Sequence, residues 1–402
     1  MKISDANLKI ILDSRGKETL EAELRTDKFS ALTSVPSGKS RGAHEAFVLE
    51  PKLALEKFED IKPQILSREF NSQEEFDNFL IQLDGTPNKQ NLGTNLILAL
   101  SLAFARLMAK TENLELFQYV QSIGHITNSP ITQPPHPIFN VINGGAHATH
   151  PQSKLDFQEF QIIPEVKDFG MALGLGQEFY RKLKEFLENK FGKENILLGD
   201  EAGFSCSFKN NEGAIEILAE LIKKYNYPLR IGLDAAATQF YKENNYIIGG
   251  KNYSAEELKN FYLKLIESYK ILSIEDPFYE EAFDDFSILS HVIVPENVKV
   301  ITDDLTTTNP ERLQTAVDKK AGNTILIKPN QIGTLTETLK VVKMAYEANW
   351  QVVISHRSGE TMDDFIADLA VAINAWGLKA GAPAAPERMV KYERIIKIAA
   401  KD

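Results

Sequence analysis

The chain has 402 residues, 43% of them hydrophobic and 25% charged, with a formal net charge of −11. That length and apolar content allow a large core shared by two domains, and the acidic balance excludes the basic surface a nucleic-acid backbone requires. A single cysteine, Cys206, excludes an internal disulfide framework and fits a reducing cytoplasm.

No apolar run of signal-peptide length opens the sequence. Residues 3–25 alternate apolar and polar around a turn at Asp13, Ser14, Arg15 and Gly16, which predicts a hairpin of a small β-meander. Residues 35–45 are rich in Gly and Ser. They read either as a plain turn or as a mobile lid whose hydroxyls and carbonyls reach a hard cation or a phosphate. Residues 53–122 are helical in pattern, with apolar faces through 54–58, 76–81 and 96–107. The most apolar window, 96–109, is broken by Ser101 and Arg106 and is shorter than the roughly 20 residues of a membrane span, so it reads as a buried helix. This is an α+β domain over residues 1–130, closed by the Pro-rich stretch 129–137, with a second domain over 131–402.

The second domain opens on a strand that runs into Gly144 and Gly145 and carries His147 just beyond. A strand over 157–164 follows with Gln158 and Glu159 near its start, one of which must face inward and need a partner. The glycines of 170–176 lack the strand and the spacing of a nucleotide loop. Residues 180–191 form a helix, and Asp200 and Glu201 sit beside glycines in 199–204 at what reads as another strand end. From residue 230 onward, five short Val- and Ile-rich segments end on Asp234, Glu275, Asp303, Lys328 and His356, spaced 41, 28, 25 and 28 residues apart. Amphipathic helices at 212–225, 255–269, 310–319, 335–348 and 362–377 lie between or after them. Buried strands alternating with helices predict a (β/α)8 barrel, whose chemistry sits at the carboxyl ends of its strands. The five polar residues therefore face one mouth.

Asp234, Glu275 and Asp303 form an all-oxygen, trianionic cluster that either takes up protons, pairs with Lys or Arg, or holds a divalent cation, with Mg²⁺ favoured over Zn²⁺. Lys328 faces this site as a candidate general base. His356, Arg357, Ser358 and Lys379 add donors and positive charge on the far side, and Arg357 with Ser358 suits a phosphate. An anionic substrate bridging metal and basic groups would lose a carbon-bound proton to Lys328, the metal holding the ene-diolate, and Glu201 or Glu159 could supply the acid for loss of a β-hydroxyl.

Motifs spread over nearly the whole chain resemble those of the enolases, in family order. They begin at Asp13, Pro36, Asn143, Gln158, Gly199, Ser273, Asp303, Lys328 and Ser355, and the last two, reading LysProAsnGlnIleGlyThr and SerHisArgSerGlyGluThr, are close to diagnostic. The resemblance implies an α/β fold, a modified (β/α)8 TIM barrel with an antiparallel second strand, preceded by a smaller α+β capping domain. It implies Mg²⁺-dependent, reversible dehydration of 2-phosphoglycerate to phosphoenolpyruvate in glycolysis and gluconeogenesis. Asp234, Glu275 and Asp303 would hold one Mg²⁺ and Ser40 of the lid a second, giving two per active site. Lys328 would be the base and Glu201 the acid, with Glu159 beside it. His147, Arg357 and Ser358 would contact the phosphate region, Lys379 the substrate carboxylate, and Gln158 and His356 would line the pocket. A cytoplasmic homodimer or assembly of dimers is expected, with no membrane span. The same barrel could serve a dehydratase of another hydroxy acid, or a non-catalytic paralogue with a binding role.

Against the family pattern, Lys39 and Arg41 stand in the lid where Ala and Thr are usual, and a Gly- and charge-rich segment is omitted after Glu50. Ala202 replaces a usual glycine, Gln239 a common Glu, and Ala385 an Arg that often follows the preceding turn. These differences bear on lid closure, turnover and dimer packing.

Overall fold

A computed structural model describes residues 1–39, 42–124 and 133–400. The N-terminal part is a three-stranded antiparallel sheet, Asp5–Leu12, Glu18–Arg25 and Ser30–Ser34, in sequential order. The predicted turn closes its first hairpin, with Gly16 at φ 72°, where a Cβ would be strained. Helices Pro51–Ser67, Gln73–Asp84, Thr94–Thr111 and Leu116–Gly124 cover it. Thr94–Thr111 is the predicted buried helix. It is buried nearly all round because it lies between the second and third strands and the neighbouring helices. Phe76 stacks on Phe104 at 4.2 Å and Phe70 meets Phe76 edge-on at 4.9 Å, filling one side of that contact.

Eight strands then close a barrel: His136–Asn143, Glu159–Pro164, Leu229–Asp234, Ile271–Glu275, Lys299–Thr302, Thr324–Ile327, Gln351–Ser355 and Gly377–Lys379. The eighth pairs in parallel with the first, at Lys379 opposite Ile138. The second strand runs antiparallel to both neighbours, as the resemblance implied. No α-helix separates it from the first strand, so the chain turns back at the mouth instead of crossing over. One register consequence matters for the site. Glu159, the first residue of this reversed strand, lies opposite Asn143 and Asp234, the last residues of its two neighbours. A strand start therefore delivers its side chain to the same mouth as seven strand ends. Inside, Ile138, Ile163, Ile301, Leu326 and Val353 pack as a plug, so the barrel is a core and not a pore.

Several boundaries differ from the sequence reading. The dismissed glycines of 170–176 are the opening turns of one long helix, Phe169–Phe191, which begins well before residue 180. Gly176 is there for packing, since a Cβ at that position would lie 2.3 Å from the Phe139 ring. The helix read at 362–377 shrinks to Phe365–Ala372, because the Asp363 carboxylate accepts from Phe365 N and a turn at Asn374, φ 57°, leads straight into the last strand. Glu201 lies not at a barrel strand end but at the tip of a hairpin between Leu197–Leu198 and Phe204–Ser205, docked on the first barrel strand. Helices Phe283–Ile293 and Pro386–Ala399 and a small hairpin sheet over 241–253 had no reading. The predicted boundary at residue 130 lies outside the described residues, as do Ser40 and Arg41.

The long helix gives a test with opposite signs at two glycines. Alanine favours a helix interior by about 1 kcal/mol over glycine, while overpacking costs about 1–3 kcal/mol. Gly174→Ala, with nothing within 4 Å of the new Cβ, should raise the melting temperature, and Gly176→Ala should lower it. Two increases would refute the packing role of Gly176.

Candidate active site

Strand register brings the predicted side chains together. Asp234, Glu275 and Lys379 end their strands, while Asp303, Lys328 and His356 follow theirs by one residue. Glu159 opens the reversed strand, with Gln158 just before it. His147 arrives on a short 3-10 turn, Gly145–His147, after two glycines the backbone needs. A Cβ on Gly144 would lie 2.3 Å from Phe157 O, and Gly145 has φ 44°. Apart from Lys328, which is half-buried, and Ser40, which lies outside the described residues, every predicted site residue is buried.

Lys328 faces the carboxylates as read from the sequence, whereas Lys379 is placed differently. Lys379 is not across the site from the carboxylates but among them. Its ammonium donates to Glu275 at 2.8 Å and Asp234 at 3.1 Å and lies 3.0 Å from Glu159, one carboxylate for each of its three donors. Lys328 Nζ donates to Asp303 at 2.5 Å, and Gln331 donates to the other Asp303 oxygen at 2.9 Å. Repulsion among converging carboxylates explains the arrangement. Three of them around one ammonium leave a surplus of two negative charges, which two protons or one divalent cation would cancel. The carboxyls respond accordingly. Burial, then Asp234, holds Glu275 well above the usual carboxylate range, and burial, then Glu201, does the same to Glu159.

Glu201 behaves in the opposite sense. Burial alone would raise it, but its two histidine neighbours and Arg388 outweigh burial and hold it well below the usual range. Asn140 donates to it at 2.7 Å, His147 Nδ1 lies at 3.5 Å and His356 Nε2 at 3.6 Å. Both histidines are themselves driven toward neutrality by burial, His356 to about 4. With both rings driven toward neutrality, the lasting positive charge beside Glu201 is that of Arg388. Glu159 and Glu201 thus form a pair pushed apart in acidity, Glu159 upward and Glu201 downward.

Arg357 and Ser358, read as phosphate contacts, already hold protein groups. The Arg357 fork grips Glu45 at 2.8 and 3.2 Å and reaches Asn330 at 3.1 Å. Ser358 Oγ accepts from Lys39 N at 2.8 Å and from Arg15 at 3.2 Å, which ties residues 15 and 39 to the site. Lys39, a departure from the family pattern, forms a half-exposed ion pair with Asp200 at 3.0 Å, linking it to the loop of Glu201. Gln239 donates to Gln158, which in turn donates to Asp234 at 3.3 Å, so the replacement amide orients a site residue. Ala202 stands at φ 62°, a conformation that favours the glycine usual there.

Sequence reasoning missed Glu45, Asn140, Asp276, Asp304 and Arg388. Asp276 and Asp304 adjoin Glu275 and Asp303, and that adjacency was the available signal. Asp276 accepts from the backbone N–H of Asp303 at 3.0 Å and of Asp304 at 2.7 Å, locking the loop, and Asp304 is pushed up to about 8 by burial and Asp303. Among the described residues, two groups have geometry compact enough for a metal, His147 with Glu159 and Glu201, and Asp276 with Asp303 and Asp304. Hard oxygen donors and a surplus of negative charge fit a cation such as Mg²⁺ at this mouth.

Removing the ammonium should expose the charge imbalance. Lys379→Met leaves three buried carboxylates without their cation, a loss of about 3–5 kcal/mol when one partner of a buried pair is deleted. The variant should melt well below the parent and recover in part when millimolar Mg²⁺ is added. Melting identical to the parent would contradict the charge account.

Comparison with known proteins agrees with this geometry. Residues 3–120 match the family model for the enolase N-terminal domain, and residues 132–401 match that for the enolase C-terminal TIM barrel domain. The enolase of Methanocaldococcus jannaschii is 41% identical, over 99% of this chain and 95% of its own length. That of Methanosarcina mazei is 41% identical over 99% and 94%, and that of Thermococcus gammatolerans 40% over 96% and 92%. No helix among the described residues is long and apolar enough to cross a membrane. A closed barrel with one reversed strand, a carboxylate-rich mouth holding two lysines, and full-length similarity at this level place the chain in the enolase family, whose members are hydro-lyases.

Proposed function

We propose that the protein catalyses the Mg²⁺-dependent, reversible dehydration of 2-phosphoglycerate to phosphoenolpyruvate, the enolase step of glycolysis and gluconeogenesis. The observation that carries the reading is the placement of Lys328 and Lys379 against Asp303, Asp234 and Glu275, with Glu159 and Glu201 in the same pocket. Asp234, Glu275 and Asp303 would hold one Mg²⁺, and Ser40 would reach a second. Bound there, Mg²⁺ supplies positive charge that lowers the barrier to removing a proton next to a carboxylate.

The chain's own groups do the rest. Burial, Arg357 and Lys379 press Lys328 toward its neutral amine, but Asp303 outweighs them and holds it above its ordinary range. Drawing Asp303 into other bonds therefore prepares Lys328 to take the C2 proton. Lys379 holds the substrate carboxylate. Glu201 serves as the acid that expels the C3 hydroxyl once it has taken a proton from Glu159 beside it, the carboxyl held above its usual range. His147, Arg357 and Ser358 serve the phosphate region, and Gln158 and His356 line the pocket. The reading also carries a cytoplasmic homodimer or assembly of dimers. It places the domain boundary near residue 130, between the two family matches that end at 120 and begin at 132.

The expected result with purified protein is ultraviolet appearance of phosphoenolpyruvate from 2-phosphoglycerate in Mg²⁺, abolished by excess chelator. No turnover while both Mg²⁺ and substrate bind would refute the assignment. Lys328→Ala should slow exchange of the C2 proton with solvent by at least about 10³-fold while leaving Mg²⁺ binding in place. Normal exchange in that variant would remove Lys328 as the base.

A further inference from the structure

Arg388, the third residue of the helix Pro386–Ala399, is fully buried. A guanidinium in that position carries a large desolvation cost, and an apolar side chain of similar volume would not. Among the described residues no carboxylate compensates it at hydrogen-bond distance, the nearest, Glu387, being 3.6 Å from its Nε. Its bonds go instead to the residues that flank the site. It donates to His356 Nδ1 at 2.6 Å, to the carbonyls of Arg357 and Ser358 at 2.7 Å each, and to the carbonyl of Asp200 at 2.9 Å. Ser14 Oγ lies at 3.4 Å. One planar fork thus spans the loop that carries Glu201 and the loop that carries His356, Arg357 and Ser358.

The chemistry of the contact with His356 has one solution. A guanidinium is a donor only and stays charged, so the ring nitrogen it meets must be the bare acceptor. The single proton of the neutral imidazole then sits on Nε2, which points to Glu201 Oε2 at 3.6 Å. Charged groups reach the ring from three sides: Glu201 at Nε2, Arg388 at Nδ1, and Glu360 of the same loop. Gly381 makes room for the arrangement, since a Cβ there would lie 3.0 Å from Arg388 Cδ, 3.1 Å from His356 Cε1 and 3.0 Å from Glu201 O.

We propose that Arg388 is a positioning residue that fixes His356 in its Nε2–H tautomer and clamps residues 200, 357 and 358, so that the imidazole N–H and the Glu201 carboxylate keep their mutual geometry. Its effect on turnover rests on the reaction proposed above. Its effect on the tautomer does not.

The test is ¹⁵N NMR of the histidine rings in the full-length protein, with His356 assigned by its loss in His356→Gln. In the parent, His356 should show an unprotonated, hydrogen-bonded Nδ1 and a protonated Nε2 from about pH 5.5 to 8.5. A protonated Nδ1 in the parent overturns the proposal without any variant. In Arg388→Met, which keeps bulk but has no donor, the Nδ1 hydrogen bond should vanish. The ring should then titrate closer to its ordinary range, since Glu201 and Glu360 remain while the cation is gone. Its kcat for 2-phosphoglycerate should fall about 10- to 100-fold with a smaller change in KM. Arg388→Lys, which restores one donor and the charge, should return the parent ring signature and part of kcat, and it serves in place of Arg388→Met if that variant does not fold. A folded Arg388→Met with unchanged ring shifts, or an Arg388→Lys that behaves like it, overturns the proposal. If the parent shows the Nε2–H ring but no turnover, the tautomer lock stands and the assigned reaction falls.

Discussion

The structure turns on an imbalance of charge at the barrel mouth. Asp234, Glu275 and Glu159 share one ammonium, that of Lys379, and all four side chains are buried. Such a cluster survives only by holding protons or by binding a cation, and both outcomes bear on the chemistry. Glu159, held above the usual carboxylate range, stands as the weaker acid beside Glu201, held below it. The shortage of positive charge around Asp234 and Glu275 gives affinity for a hard cation. Lys328 is in the mirror-image position, a half-buried cation with Asp303 as its main support. Each group is stabilised by a partner that the reaction would draw away.

The reversed second strand makes this geometry possible. In a uniformly parallel barrel a strand start lies at the far end from the site. Turning one strand around puts Glu159 level with Asp234 and Asn143, so a fourth carboxylate joins the three from the following strands. The N-terminal part meets the same mouth through side chains and backbone together, Ser37 pairing with Gly359 and Ser14 N donating to Glu360 O. Glu45 grips Arg357, and Arg15 and the backbone N of Lys39 meet Ser358, so the groups expected near a phosphate are held by the N-terminal part.

Much of this was legible in the sequence, for identifiable reasons. Strands buried on both sides are largely apolar, so a charged residue or His closing a Val- and Ile-rich run marked both a strand end and a site residue, whereas Asn140, inside its strand, gave no such signal. The direction of the second strand was not legible from periodicity, which is the same either way, and only the family resemblance supplied it. The contacts of the two lysines could not be read, because they depend on which carboxylates meet in space. Arg388 was invisible for a related reason. In sequence it is one charged residue on an amphipathic helix, and only burial shows that its fork faces inward. The helix at 170–191 was shortened because its glycines resemble a loop, whereas Gly176 is set by the Phe139 ring beneath it.

The most direct measurement is calorimetric titration of Mg²⁺ into the protein in two buffers of different ionisation enthalpy. The charge account predicts binding that releases about one proton or more per cation, as a carboxyl held above its usual range gives up its proton to the metal. Absence of binding, or binding heats that do not depend on the buffer, would contradict it.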